Sequence, residues 1–219
     1  MRPNLATLVE DFRRHGKSNA IVSYRGNRRT ASSYAELAAL TDRTAAALIQ
    51  HQIQAGERVV LWGQNGLEWV ASFFGCVLRG VICVPLDAAG SLDFANRVIA
   101  ETTPRLILGD AELLNQLDSL LTKIAFEDFP TALPQPTSPV PIDPAINLDS
   151  PVQILFTSGT TADPKGVVHT HRNILASLDP IEREIQKYLR YERFVHPLRF
   201  LHTLPLSHVF GQFMGLWIP

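Results

Sequence analysis

The 219-residue chain is short of cysteine, of net charge and of long unbroken apolar runs, and each shortage removes a class of function. Its two cysteines, Cys76 and Cys83, lie in apolar stretches without metal-ligand spacing. A disulfide framework or zinc site is therefore not expected, and buried reduced thiols in a cytosolic protein are the simpler reading. Twenty basic against 21 acidic residues leave a formal charge of −1, which gives no long-range attraction for nucleic acid or an anionic membrane surface. The most apolar window, Trp69 to Leu86, is interrupted by Gly75, Arg79, Gly80 and Pro85. A bilayer span needs about 20 predominantly apolar residues, so the window reads as two buried elements and no transmembrane segment. Glu10 and Asp11 stand where a signal peptide needs an apolar core. A cytoplasmic location is expected, with peripheral membrane contact left open.

What is present suits a packed domain. Apolar residues make up 46% of the chain, enough for a core at a length where folding hides roughly 70% of the surface. Leu5 to His15 reads as a short helix, and AIVSYRGNRR as a strand and turn entering a second strand. Ser33 and Glu36 form an S-x-x-E capping box before a helix with Leu37, Leu40, Thr44, Ala45, Leu48 and Ile49 at helical spacing. Arg58–Trp62 is a strand, followed by a helix capped by Asn65 and Glu68 and stopped at Gly80. Val81–Leu86 is a continuous apolar strand, Ser91–Thr102 a helix, Arg105–Leu108 a strand, and Ala111 to about Lys123 a further helix. Aliphatic strands alternating with helices predict an α/β fold, a mostly parallel sheet with flanking helices.

Residues 130–151 hold seven of the 15 prolines. That density argues against helix and central strand, so the segment is expected to be an extended connector after an α/β subdomain at 1–129. It either separates two lobes or returns the chain across one. Val152–Phe156 and Val167–Thr170 then read as strands, Arg172 toward Leu189 as a helix containing Pro180, and Leu198–Thr203 as a strand. The chain stops at GLWIP in mid-pattern, which reads as a truncated end.

The chemically informative segment is Thr157-Ser158-Gly159-Thr160-Thr161-Ala162-Asp163-Pro164-Lys165-Gly166. Hydroxyls and loop amides donate to phosphate oxygens, glycine lets the backbone approach, and lysine supplies a point charge. The spacing is not that of a Walker loop, and a strand rather than a helix follows. Taken alone, such a segment is equally a Ser/Thr-Gly hairpin with an exposed lysine. His169 and His171 stand two apart, a weak metal signal without a third ligand.

LFTSGTTADPKGVVHTHRN resembles the phosphate-binding signature of AMP-forming acyl-adenylate enzymes, the superfamily of acyl-CoA synthetases, peptide-synthetase adenylation domains and firefly luciferase. The stretch from SYAELAALTDRTAAAL to GVICVPLD is similar to the family's N-terminal α/β region, part of its large domain, and LPLSHVFGQ to the motif that lines its acyl pocket. The resemblance implies that residues 152–219 form the phosphate-loop segment and the start of the acyl-pocket region. It also implies that Thr157, Ser158, Gly159, Thr160, Thr161 and Lys165 cradle the β- and γ-phosphates of ATP, that His208 borders the carboxylate substrate, and that His171 is structural. One position departs from the signature, Ala162 standing for its usual second glycine. If φ is positive there, alanine costs roughly 1–2 kcal/mol.

The reaction implied has two steps. A carboxylate attacks the α-phosphorus of ATP, with Mg2+, to give acyl-AMP and pyrophosphate; a thiol, usually that of CoA, then displaces AMP. The family's Tyr-Gly-x-Thr-Glu element, ribose-binding aspartate, hinge and C-terminal lysine do not occur in this chain. No catalytic residue is assigned, and a separate C-terminal half is one implied partner. PLSHVFGQ favours an acyl-CoA synthetase for a fatty or other apolar acid. The alternatives are an amino-acid or aryl-acid adenylating fragment, and an inactive remnant or interaction module that at most binds phosphate.

Overall fold

The computed structural model describes residues 2–25, 27–118, 120–157, 164–188, 191 and 199–217. Helix α1 (Leu8–His15) is followed by an antiparallel hairpin, β1 (Asn19–Arg25) and β2 (Arg28–Ser33). Helix α2 (Tyr34–Gln50) starts on the expected capping box: Ser33 Oγ accepts from the Glu36 amide at 3.2 Å, and Glu36 Oε2 accepts from the Ser33 amide at 2.7 Å. The bonds that Glu36 Oε2 accepts from the Ser33 amide and hydroxyl hold its carboxyl below the ordinary pKa.

Strands β3 (Arg58–Trp62), β4 (Ile82–Leu86), β5 (Leu106–Gly109) and β6 (Lys123–Ala125) run parallel, with β7 (Pro151–Thr157) parallel to β4. β8 (Lys165–Thr170) closes the sheet antiparallel to β7, giving the order β6-β5-β3-β4-β7-β8. Strand alternation splits the core between the two sheet faces. Val59, Leu61, Leu106 and Leu108 pack with α2 and with α3 (Leu67–Leu78), whereas Val60, Trp62, Ile107 and Val84 pack beneath α4 (Leu92–Thr102). The fold is the expected α/β sheet with flanking helices. Cys76 and Cys83 are buried free thiols, and burial pushes the Cys83 pKa up.

Several boundaries differ from expectation. The helix read over Ala111–Lys123 lasts only from Ala111 to Leu114 (α5), because Lys123–Ala125 is drawn to the sheet edge, where Ile124 lies opposite Leu108. Asn65 does not cap α3, whose N-cap is Gly66 without a side-chain bond; its amide serves a distant loop instead. Gly80 does end that helix, in the left-handed region at φ +62°. Phe129–Ala132 forms a helical turn (α6) despite Pro130, which occupies an N-terminal helix position where no amide is required. Helix α7 (His171–Gln186) runs through Pro180 without a break. Residues 199–203 form no strand; Leu198 lies outside the described residues. The last elements are α8 (Val209–Gln212) and a π-helical turn, Phe213–Trp217.

The proline-rich segment returns the chain to the same sheet and is pinned along the way. Arg43 of α2 donates to the carbonyls of Phe129, Pro130, Leu133 and Pro134 at 2.7–3.2 Å. Arg79 pairs with Asp143 at 2.7 Å. No described helix is long and apolar enough to cross a membrane.

Candidate functional site

In an open parallel sheet, ligands bind outside the carboxyl ends of the strands, where loops and helix starts converge. Here β3, β4, β5 and β7 all end on that edge, at Trp62, Leu86, Gly109 and Thr157. The hydroxyl-rich loop leaves β7 there and returns as β8, with Thr157 opposite Lys165 in the register. Ser158, Gly159, Thr160 and Thr161, together with Ala162 and Asp163, lie outside the described residues. Lys165 is exposed, and its ammonium has no ion-pair partner among the described residues.

His208 reaches the same edge through two side chains that the sequence reading passed over. Asp87 follows β4, the neighbour of β7, and its Oδ2 lies 3.0 Å from His208 Nε2. The aspartate is itself held: its carbonyl accepts from Trp62 Nε1 at 3.0 Å and its Oδ1 from the Ala89 amide at 2.9 Å. A proton on Nε2, donated to Asp87, leaves Nδ1 of His208 as the second face of the ring. Asn65, after β3, donates to the Leu204 carbonyl at 2.8 Å and accepts from the Leu206 amide at 2.9 Å, fixing the loop that carries His208. A carboxylate immediately after a fully buried strand was the available signal for Asp87. Asn65 had been read as a helix cap.

Nearer the other end of the β7–β8 pair, where Gln153 lies opposite His169, a cavity of about 80 Å3 lies between β7, β8, α7 and α8, lined by Gln153, His169, Ser177, Val209, Gln212 and Phe213 among others. Gln153 and Gln212 exchange two amide hydrogen bonds, and Gln153 Nε2 also lies 3.2 Å from His169 Nδ1. Burial lowers the His169 pKa, so the neutral ring accepts at Nδ1.

His171 points elsewhere in the fold. It opens α7, is 1% exposed, and its Nδ1 accepts from the Leu5 amide at 3.1 Å; burial pushes its pKa down to about 4. The two histidines thus serve separate hydrogen bonds, one in the sheet and one at the N-terminal segment.

The sequence model for the AMP-binding enzyme family matches residues 8–219. The chain belongs to that family. Among its relatives, a long-chain-fatty-acid–CoA ligase of Rattus norvegicus is 27% identical over 239 aligned residues, covering 96% of this chain and 35% of the relative. A D-alanine–D-alanyl carrier protein ligase of Lactiplantibacillus plantarum is 27% identical, covering 82% and 34%. The chain thus spans about a third of the length of these curated relatives. Among solved structures, McyG A-PCP complexed with phenylalanyl-adenylate superposes with a TM-score of 0.78 at 25% identity, over 98% of this chain and 34% of that one. A fatty acid AMP ligase from Legionella pneumophila superposes at 0.77 and 23%, over 100% and 38%, a likeness of fold. Like these AMP-binding proteins, the chain folds as the N-terminal part of an adenylate-forming domain.

Proposed function

We propose that the chain supplies the phosphate-gripping edge of an ATP-dependent acid–thiol ligase. Such an enzyme activates a carboxylic acid, of the fatty or other apolar kind, as acyl-AMP before thioester formation with CoA. The supporting observation is the meeting of two features on adjacent strand ends: the Thr157–Lys165 hairpin mouth and the Asp87–His208 pair. An exposed ammonium beside a hydroxyl-rich loop suits the triphosphate tail. A histidine oriented by a carboxylate suits the border of a carboxylate site.

In this reading Thr157, Ser158, Gly159, Thr160, Thr161 and Lys165 hold the β- and γ-phosphates. Charge-assisted bonds of this kind contribute roughly 1.5–3 kcal/mol each, and pre-positioned donors stabilise the negative charge that gathers on departing pyrophosphate. His208 lines the acid's approach to the α-phosphorus. Mg2+ supplies charge neutralisation on the phosphates; no group of three or more His, Cys, Asp or Glu suited to a metal occurs among the described residues, and none of them is assigned to it. The part that corresponds to the remaining two thirds of its relatives' length, continuous or as a separate chain, completes the reaction.

Acid-dependent exchange of labelled pyrophosphate into ATP tests the proposal, using the chain joined to or co-expressed with its C-terminal counterpart. Exchange that depends on a fatty acid and is lost in Lys165→Ala supports it. Exchange with an amino or aryl acid alone moves the substrate class. Absence of exchange with every acid, while the assembled protein is folded, favours the non-catalytic reading.

A further inference from the structure

From Phe12 to Ala35 the chain carries no acidic residue but six cations: Arg13, Arg14, Lys17, Arg25, Arg28 and Arg29, out of 20 in the whole protein. Two of these are spent locally, Arg13 on Asp42 at 2.8 Å and Arg14 on Asp11 at 3.0 Å. The other four lie on, or just before, the β1–β2 hairpin. Lys17, Arg28 and Arg29 have no ion-pair partner among the described residues.

The hairpin's shape sharpens this asymmetry. It is a two-stranded sheet apart from the main one, with Arg25 paired to Arg28 and Tyr24 to Arg29 at its far end. Directly paired residues share a face, as do residues two apart. Val22, Tyr24, Ala31 and Arg29 therefore line one face, where Val22 is 42% and Tyr24 67% exposed. Glu36, the nearest carboxylate in sequence, is tied to Ser33 at the hairpin's base. A strand of this length spans roughly 20 Å, twice the Debye length of about 10 Å at 0.1 M salt. Glu36, at the hairpin's base, therefore acts only weakly at its tip.

We propose that the β1–β2 hairpin is a docking surface for an anionic phospholipid bilayer. Arg29, on the face of Val22 and Tyr24, and Arg28 beside it at the tip engage lipid phosphates and carboxylates, while Tyr24 and Val22 enter the headgroup boundary. An aromatic ring with a polar tip beside an aliphatic side chain and arginines is the composition that membrane interfaces favour. An acidic protein partner would use the cations but gives no reason for the exposed Val22–Tyr24–Ala31 stripe. The membrane contact is local, so it coexists with the absence of a net attractive charge.

Co-sedimentation of the 219-residue chain tests this, using vesicles of phosphatidylcholine with or without about one-third phosphatidylserine. Binding should require phosphatidylserine and fade as salt rises from about 50 to about 300 mM. Arg28→Gln with Arg29→Gln should lower the partition coefficient about 30-fold, and Tyr24→Ser severalfold, whereas Arg28→Lys with Arg29→Lys should retain binding. Circular dichroism of each variant reports the fold, and the lysine pair keeps the charge if the glutamine pair unfolds the hairpin. Unchanged partition in the glutamine pair, salt-insensitive binding to phosphatidylcholine alone, or capture by polyglutamate without capture by vesicles overturns the proposal, the last in favour of an acidic protein.

Discussion

Gln153 on β7 and Gln212 on α8 are 59 positions apart, yet each amide donates to the other's oxygen at 2.7 Å, with both side chains at most 1% exposed. Replacing either by leucine leaves one buried amide unpaired, at a cost of about 1–3 kcal/mol. Replacing both removes the orphaned amide and leaves only His169 Nδ1 without its donor, a loss already counted in Gln153→Leu, so the double variant should lose less than the sum of the singles. Urea unfolding of the two single variants and the double variant measures the coupling; additivity would mean that the pair is not a unit.

Stability should depend on pH through His171. Its folded pKa, about 4, lies below the ordinary 6.5, so at intermediate pH the unfolded chain binds more protons than the folded one. Stability is then complete above about pH 6.5 and declines as pH falls toward 4, by at most about 3 kcal/mol. Burial lowers His169 as well, adding a loss of the same sign. Urea midpoints across this window should fall with acid in the wild-type chain and less steeply in His171→Gln. Identical slopes would remove His171 as the source.

Gly75 sits where α3 crosses α2, and a Cβ there would come within 2.8 Å of Thr44 Cβ and 3.2 Å of the Ala45 nitrogen. Gly75→Ala should therefore destabilise by about 1–3 kcal/mol through overpacking, although alanine is the better helix former by roughly 1 kcal/mol. Adding Thr44→Ala removes the Cγ2 that would lie 2.9 Å from the new Cβ but keeps the Thr44 Cβ, and should recover only part of the loss, read as a partial return of the thermal midpoint. A Gly75→Ala chain melting above wild type would show that the helices can separate freely.

The capping box at Ser33–Glu36, the apolar strand VICVPL and the stop at Gly80 were legible because each signal is local and has one physical meaning. The leucines at 113, 114, 117, 120 and 121 misled for the opposite reason. Helical spacing says which residues can share a face, whereas the edge pairing of Ile124 with Leu108 decided where the helix ended and left Leu120 exposed. The Asp87–His208 and Gln153–Gln212 contacts span 121 and 59 positions. Nothing in the local pattern around either residue announces its partner. The hydroxyl loop is the converse case, chemically explicit in sequence while Ser158–Asp163 fall outside the described residues.

Asn65 shows how a side chain can set the position of a loop that is distant in sequence. Its two bonds fasten the backbone at Leu204 and Leu206, two residues before His208. Leu206 is itself 3% exposed and anchored in the core, so loss of the amide should loosen the loop rather than release it. Asn65→Ala should cost about 1–2 kcal/mol globally, while amide exchange at Leu206 and through 207–212 accelerates well beyond that at β3 and β4. Asn65→Asp keeps the acceptor for the Leu206 amide but removes the donor to Leu204, and should fall between wild type and Asn65→Ala. The spread separates two roles. A uniform rise in exchange across the whole sheet would make Asn65 an ordinary stability residue. A rise confined to 204–212 would identify it as the group that holds His208 against Asp87.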